Sequence, residues 1–253
     1  TIQKNLWHDI AALGFGGLNV SAASGGAELS RFEATLVFEA LSASCVSVAA
    51  FLSIHNMCTR MIDTLGSEAL KARVLPGALS METLVSYCLS EPGSGSDAAA
   101  LKTRAIKTPQ GWELTGTKAF ISGGGYSDAY IVMARTGNEG PKGISAFLVA
   151  ATTPGLTFGE LEEKMGWKSQ PTRQVQLDGC VVPEGNLLGS EGDGFHYAMA
   201  GLDGGRLNIA ACSLGGAQSA LDKTLAYMGE RHAFGHSIDQ FQALQFKLAD
   251  CEI

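Results

Sequence analysis

The chain has 253 residues, of which 45% are hydrophobic and 17% are charged, and its formal net charge is −7. This length and apolar content suffice for one large core or for two to three smaller ones. The acidic balance provides no basic surface for nucleic acid or for an anionic membrane, so both kinds of partner are disfavoured and a small-molecule ligand is favoured.

The cysteines and the apolar runs bear on the compartment. Six cysteines lie far apart without a C-x-x-C pair, which is typical of buried, reduced thiols. No apolar run approaches the roughly 20 residues of a membrane span. The segment "TIQKNLWHDI" lacks the charged and apolar regions of a secretion signal. We therefore expect no membrane span and a reducing compartment, with the true N-terminus missing.

The elements divide the chain into three regions. Apolar residues recur at helical spacing from Leu29 to Met81, with Gly66 and Pro76-Gly77 as interruptions, which predicts a helical domain over 1–82. Short β-branched and aromatic runs between glycine-rich turns predict a central domain over 83–185, made of antiparallel strands in a barrel or sandwich. Helical periodicity then returns, which predicts the first part of a C-terminal helical domain over 186–253. Its apolar face comprises Phe195, Met199, Leu202, Leu207, Leu214, Leu221 and Leu225.

A glycine-rich stretch, "YCLSEPGSGSDAAA", follows the first strand run and raises the question of a nucleotide site. Its G-x-G-x-x-A spacing from Gly93 to Ala98 resembles a nicotinamide dinucleotide turn, but that turn needs a following helix to receive the pyrophosphate. Here more strand pattern and a Pro-Gln-Gly turn follow. The residues alone therefore favour a plain structural loop over a nicotinamide site.

A longer set of strings resembles the acyl-CoA dehydrogenase family. "CLSEPGSGSDAAA" is similar to the family's first signature, and the resemblance extends through "LGFGG", "KAFISGG", "GWKSQPTR", "GSEGDGF" and "ERHAFGHSIDQFQALQFKLAD". It implies an α+β multidomain fold, FAD as the cofactor, and removal of hydrogen from the α- and β-carbons of an acyl-CoA. It also implies a homo-oligomer, with a tetramer expected, and an electron-transferring flavoprotein as electron acceptor. The compartment would be the cytoplasm of a bacterium or the mitochondrial matrix of a eukaryote.

The same resemblance assigns roles to individual residues. Ser90 would bond the pyrimidine edge of the flavin, Ser122 would bond near its N5 atom, and Phe120 would cover the ring. Arg231, Phe234 and Gln242 match a pattern that reaches the FAD of a neighbouring subunit. Ser96, Asp203 and Arg206 would contact acyl-CoA. The expected cofactor-binding residues are Tyr87, Leu89, Ser90, Ser96, Phe120, Ile121, Ser122, Arg231, Phe234, Phe241 and Gln242.

The catalytic base and a metal site are both expected to be absent from this chain. Some relatives carry the catalytic glutamate at the position of Gly205, which has no carboxylate, so we expect the base beyond Ile253. Glu91 is interpreted as a loop organiser, and Asp97 as a brace of the same turn. His232 and His236 could share a helix face, but no third ligand is evident, so no metal is expected. The sequence is expected to be a fragment, with a split enzyme as the other possibility.

The acyl group is suggested by strings similar to the isobutyryl-CoA dehydrogenase branch, which acts in valine breakdown. These are "SIHNMC", "GWKSQPTR" and "GLDGGRLNIAACSLG". Gly204 and Gly205 would leave room for a branch at the α-carbon. Three other interpretations stay open: a different short-chain acyl-CoA dehydrogenase, a non-catalytic acyl-CoA or flavin-binding subunit, and an oxidase or monooxygenase on the same scaffold.

Overall fold

Four helices form the first part of the molecule in the computed structural model, which describes residues 2–253. The second helix begins with a capping box, in which Ser30 and Glu33 satisfy each other's backbone N–H groups. Pro76 lies inside the last turns of the fourth helix, so Pro76-Gly77 does not interrupt it as the sequence suggested. The helices are α1 (Lys4–Ala12), α2 (Arg31–Ser42), α3 (Val46–Leu65) and α4 (Glu68–Leu79).

Eight strands form one sheet, which runs in the order β6-β7-β3-β2-β4-β5-β8, with β1 added alongside β4. The long pair β3 and β7 is antiparallel and carries two register shifts. The strands are β1 (Val85–Cys88), β2 (Arg104–Thr108), β3 (Gly111–Ser122), β4 (Ala129–Arg135), β5 (Ile144–Ala150), β6 (Leu156–Leu161), β7 (Thr172–Val182) and β8 (Leu187–Leu188).

The sheet differs in two ways from the predicted antiparallel barrel or sandwich. It does not close, although it curves so that Trp112 of β3 packs against Phe147 of β5, with ring centroids 5.3 Å apart. In addition, β1 pairs with β4 in parallel, with Val85 opposite Ala129. Strand composition predicts elements but not the direction of pairing, which depends on where the connecting chain returns.

A third unit begins with the long helix α5 (Gly194–Glu230), which packs against α2 and α3. The helix ends at Glu230, and a short hairpin follows, formed by β9 (His232–Ala233) and β10 (His236–Ser237). The two histidines therefore do not share a helix face as predicted, because Gly235 turns the chain with φ +83°. The last helix is α6 (Gln242–Glu252). Among residues 2–253, no helix is long and apolar enough to cross a membrane.

Close contact between α5 and α2 depends on Gly215. A Cβ atom at this position would lie 2.0 Å from the carbonyl oxygen of Glu39 and 2.3 Å from Ser42 Oγ. We therefore expect Gly215→Ala to lower the free energy of unfolding by about 1–3 kcal/mol, measured by urea denaturation.

Gly229 provides the matched control for this change. It lies in the same helix, and a Cβ there would meet no atom within 4 Å. Gly229→Ala should therefore raise the stability by up to about 1 kcal/mol through helix propensity. Stabilisation of similar size by both substitutions would contradict the close contact.

Candidate active site

A cavity of about 880 Å³ lies between the sheet, α3 and α5. Segments far apart in sequence meet here: the end of β1 with its following loop, the end of β3, Trp167, and the facing sides of the two helices. Eight of the predicted flavin or substrate residues line it together. They are Tyr87, Leu89, Ser90, Ser96, Phe120, Ile121, Ser122 and Arg206.

The loop after β1 is held in place by a buried ion pair. Lys118 Nζ lies 2.8 Å from Glu91 Oε1 and 3.1 Å from the carbonyl oxygen of Leu89, and the Lys118 side chain is completely buried. The Glu91 carboxylate also accepts the backbone N–H groups of Lys102 and Thr103, at 2.7 and 2.9 Å. Glu91 thus joins both ends of the loop to β3, which agrees with its interpretation as a loop organiser.

The pKa values of Glu91 and Lys118 each depend on the charge of the other residue. Burial alone would raise the pKa of Glu91, but the Lys118 ammonium and the hydrogen bonds hold that pKa below its ordinary value. Burial lowers the pKa of Lys118 in spite of the attraction to Glu91. A carboxylate held in this way is poorly suited to accept a proton from a substrate, so Glu91 serves the structure of the site.

Ser94, rather than the side chain of Asp97, braces the glycine turn. The backbone groups of Ser94 and Glu91 bond each other at 2.8 and 3.1 Å, and the Ser94 hydroxyl donates to the carbonyl oxygen of Asp97. Asp97 therefore takes part through its backbone, and its carboxylate is exposed in the lining of the cavity.

Two aromatic residues in the lining have unusual backbone conformations. Phe120 has φ +57° and Trp167 has φ +52°, in the left-handed region that bulky residues rarely occupy. Phe120 lies at the register shift of β3 between Lys118 and Ile121, and it remains 69% exposed. Such strain concentrates at functional sites, because the surrounding structure must impose it. Trp167 was not predicted from sequence as a site residue, although it lies within "GWKSQPTR", one of the segments that resemble the family.

Two further features of the cavity fit a polar, planar ligand such as a flavin. The hydroxyl of Tyr87 is buried, and it has no hydrogen-bond partner among the described residues. Gly95 lines the cavity, and a Cβ atom there would meet no protein atom within 4 Å. The Tyr87 hydroxyl is therefore free to hydrogen-bond a ligand, and the absence of a side chain at Gly95 leaves space for a ligand along the loop.

The remaining walls divide by chemistry. The polar side chains of Ser96, Asp97 and Arg206 are exposed, and Arg206 also bonds Asp203 at 2.9 Å. Asp203 itself is outside the lining. Most of the apolar lining comes from α3 and α5. It comprises Ile54, Met57, Phe195, Met199, Leu202 and Gly205.

Four predicted flavin residues are not brought to this cavity. Arg231 caps the C-terminal end of α5, and Phe234 is 93% exposed with its ring centroid 6.3 Å from that of Phe241. Gln242 begins α6. The predicted contact of these residues with the FAD of a neighbouring subunit stays a prediction.

Acidic and metal-binding groups are sparse at the site. Among residues 2–253, Asp97 is the one carboxylate in the cavity lining. Within the same part of the chain, no three His, Cys, Asp or Glu side chains are grouped closely enough to hold a metal ion. The described lining thus offers binding surfaces without a buried carboxylate free to act as a base.

Family models match almost the whole chain. The N-terminal domain of acyl-CoA dehydrogenases matches residues 1–82, the middle domain matches 86–180, and the C-terminal domain matches 192–253. The α+β fold, the loop signature and the cavity agree with these matches. The chain belongs to the acyl-CoA dehydrogenase family.

Three individual proteins illustrate what the chain is similar to within the family. Mitochondrial isobutyryl-CoA dehydrogenase of Dictyostelium discoideum is 53% identical over 248 residues, which are 98% of this chain and 60% of the relative. Butyryl-CoA dehydrogenase of Megasphaera elsdenii has a TM-score of 0.93 at 37% identity, over 99% of this chain and 67% of that one. The structure of PigA with FAD and proline has a TM-score of 0.93 at 29% identity, over 99% of this chain and 66% of that one. The chain thus spans less than two thirds of the Dictyostelium relative.

Proposed function

We propose that this chain forms the FAD- and acyl-CoA-binding part of an enzyme that dehydrogenates isobutyryl-CoA to methacrylyl-CoA. The observation that carries the proposal is the single cavity that unites the signature loop with the end of β3. The 53% identity to an isobutyryl-CoA dehydrogenase supports the substrate, and the FAD in the PigA structure supports the cofactor.

Residues of this chain would hold both partners of the reaction. Backbone and hydroxyl groups at Leu89, Ser90 and Ser122 would bond the flavin, with Phe120 and Trp167 as its aromatic walls. Ser96 and Arg206 would hold the polar arm of CoA, and the apolar wall between α3 and α5 would take the acyl group. FAD supplies the acceptor for a hydride from the β-carbon. Burial of the acyl group excludes water from the reacting carbons.

The α-proton requires a base that this chain does not provide. Gly205 has no carboxylate, Glu91 is bound by Lys118, and Asp97 is exposed. We infer that the base lies in the portion of the relatives' length that this chain does not span. The sparse carboxylates also favour one second candidate, a non-catalytic subunit that binds flavin and acyl-CoA.

The substrate proposal depends on the apolar wall. Gly205 lines the large cavity, where a missing side chain leaves room for a branch at the α-carbon. Gly204 does not line it, and a Cβ there would lie 3.7 Å from Arg31 Nε instead. The proposed accommodation of the branch therefore rests on Gly205 alone.

Partners and compartment follow from the family and are proposals of the same kind. We infer an electron-transferring flavoprotein as the acceptor of the electrons and a homotetramer as the assembly. The mitochondrial relative favours the matrix if the protein is eukaryotic, whereas the cytoplasm is expected if it is bacterial.

The test is the visible spectrum of the purified protein before and after anaerobic addition of isobutyryl-CoA. We expect the full-length protein to contain a bound oxidised flavin, and we expect isobutyryl-CoA to bleach the visible absorption of that flavin. A flavin that stays oxidised with every short acyl-CoA would support the binding-only subunit. Purification without flavin, and no uptake of added FAD, would contradict the proposal. Oxygen consumption during turnover would indicate an oxidase instead.

A further inference from the structure

A second, smaller cavity lies beside the apolar wall of the large one. Its volume is about 220 Å³, and its walls come mainly from α3 and α5. Within the part of the chain that the structure describes, Met57 and Gly205 are the two residues that line both cavities. These two residues therefore form the partition between the cavities.

The side chain of Met57 covers the glycines of α5. A Cβ atom at Gly205 would lie 3.5 Å from Met57 Sδ, and one at Gly201 would lie 3.5 Å from Met57 Cγ and 3.6 Å from Sδ. The thioether thus occupies space that larger residues on α5 would fill. A methionine side chain has three rotatable bonds and adapts to irregular gaps, so it can close such a passage without rigid packing.

The second cavity has a mixed lining. Met61, Leu65 and Gly201 contribute apolar atoms, and Arg31 and Arg60 contribute polar ones. An acyl chain that passes the partition would pack against the apolar part of this lining. The volume of about 220 Å³ is several times that of one methylene group, so the second cavity can hold an acyl chain extended by several carbons.

We propose that Met57 determines the acyl-chain length by closing the second cavity to the substrate. This inference rests on the proposed function, because it places the acyl group against the wall between α3 and α5. Specificity between acyl groups that differ by one methylene is worth roughly ten-fold or more per group, so a single side chain at the partition can set the preference.

Met57→Ala is the variant that tests the partition. Shortening the side chain would join the two cavities, so we expect the ratio of kcat/KM for hexanoyl-CoA over butyryl-CoA to rise at least ten-fold. A second readout, independent of turnover, is the chain length of acyl-CoA that most perturbs the spectrum of the bound flavin. This optimum should move from four carbons toward six or eight.

Two control variants separate cavity volume from general loosening. Met57→Leu keeps the bulk and should keep the short-chain preference. Met57→Ala/Gly201→Leu refills the second cavity from α5 and should restore that preference, since Gly201 lines the second cavity and not the first. If Met57→Ala does not fold, Met57→Val, with a smaller truncation, takes its place with the same expected direction.

The outcomes distinguish this inference from the proposed function. An unchanged length preference in Met57→Ala, with the wild type active on isobutyryl-CoA, would overturn the role of Met57 alone. A wild type that binds FAD but neither reduces it nor changes its spectrum with any short acyl-CoA would overturn the proposed function, and with it the inference.

Discussion

Lys118→Met is expected to lower the free energy of unfolding by about 3–5 kcal/mol, because it leaves the buried Glu91 carboxylate without its cation. The Lys102 and Thr103 N–H groups would remain, but they cannot replace the ammonium. Urea denaturation of the full chain at pH 7 measures the change. The same substitution also removes the bond to the Leu89 carbonyl oxygen, so the loop that lines the cavity should loosen.

Two variants make this prediction specific to the buried pair. Lys107 lies 2.6 Å from Glu184, but both side chains are mostly exposed, so Lys107→Met should change the stability far less. Lys118→Met/Glu91→Gln removes both charges and should recover part of the loss, since the amide oxygen of glutamine can still accept a backbone N–H. Equal losses for Lys118→Met and Lys107→Met would refute the importance of the ion pair.

His55 should make the stability depend on pH between about 6.5 and 4. The ring is fully buried, with Nδ1 3.1 Å from the backbone N of Val85 and Nε2 2.9 Å from the carbonyl oxygen of Ala78. The Val85 N–H donates to Nδ1, so Nε2 carries the proton of the neutral ring. Burial lowers the pKa of His55 to about 4.

The direction of this pH dependence follows because the pKa of His55 is lower in the folded state than in the unfolded state. Above pH 6.5 the ring is neutral in both states, and its contribution is fully present. As the pH falls below 6.5, the unfolded state takes up a proton that the folded state does not, so about 3 kcal/mol should be lost by pH 4. The carboxylates Glu91 and Asp63, whose pKa values are lowered, lose their contributions at lower pH.

The measurement is the free energy of unfolding at several values of pH between 7 and 5. His55→Gln removes the titrating group and keeps a donor and an acceptor, so its stability should vary less than that of the wild type over this range. Parallel pH profiles for the two proteins would show that His55 is not responsible.

The family resemblance singled out two segments of the cavity lining, because the strings that carry it are continuous. The structure brings both segments, Tyr87–Ser90 and Phe120–Ser122, to one cavity. The pairing of Glu91 with Lys118 could not be predicted, since the two residues are 27 positions apart and no local pattern links them. Trp167 was missed for a similar reason, because its placement depends on the turn around it rather than on its neighbours in sequence.

The fold was predicted to a comparable extent. Helical and strand periodicity located the three regions, because burial of one face imposes a regular spacing. It did not predict the end of α5 at Glu230, where the apolar pattern continues through Ala233 and Phe234 but the chain turns at Gly235. Leu207, Leu214 and Leu225 belong to the predicted apolar face, yet each is at least half exposed, so periodicity alone did not identify what they contact.

The parallel pairing of β1 with β4 also affects the order in which a newly synthesised chain can fold. The partner strand of β1, which is β4, lies 44 positions further along the chain, and beside this pair the Leu84 N–H donates to the Asp128 carboxylate. β1 therefore has no partner strand until ribosomal synthesis has passed β4. During this interval the apolar side of α3, which β1 contacts in the final structure, stays uncovered. The part of the cavity wall that α3 forms is therefore completed only after β4 has been synthesised, and an uncovered apolar surface of this kind favours aggregation before then.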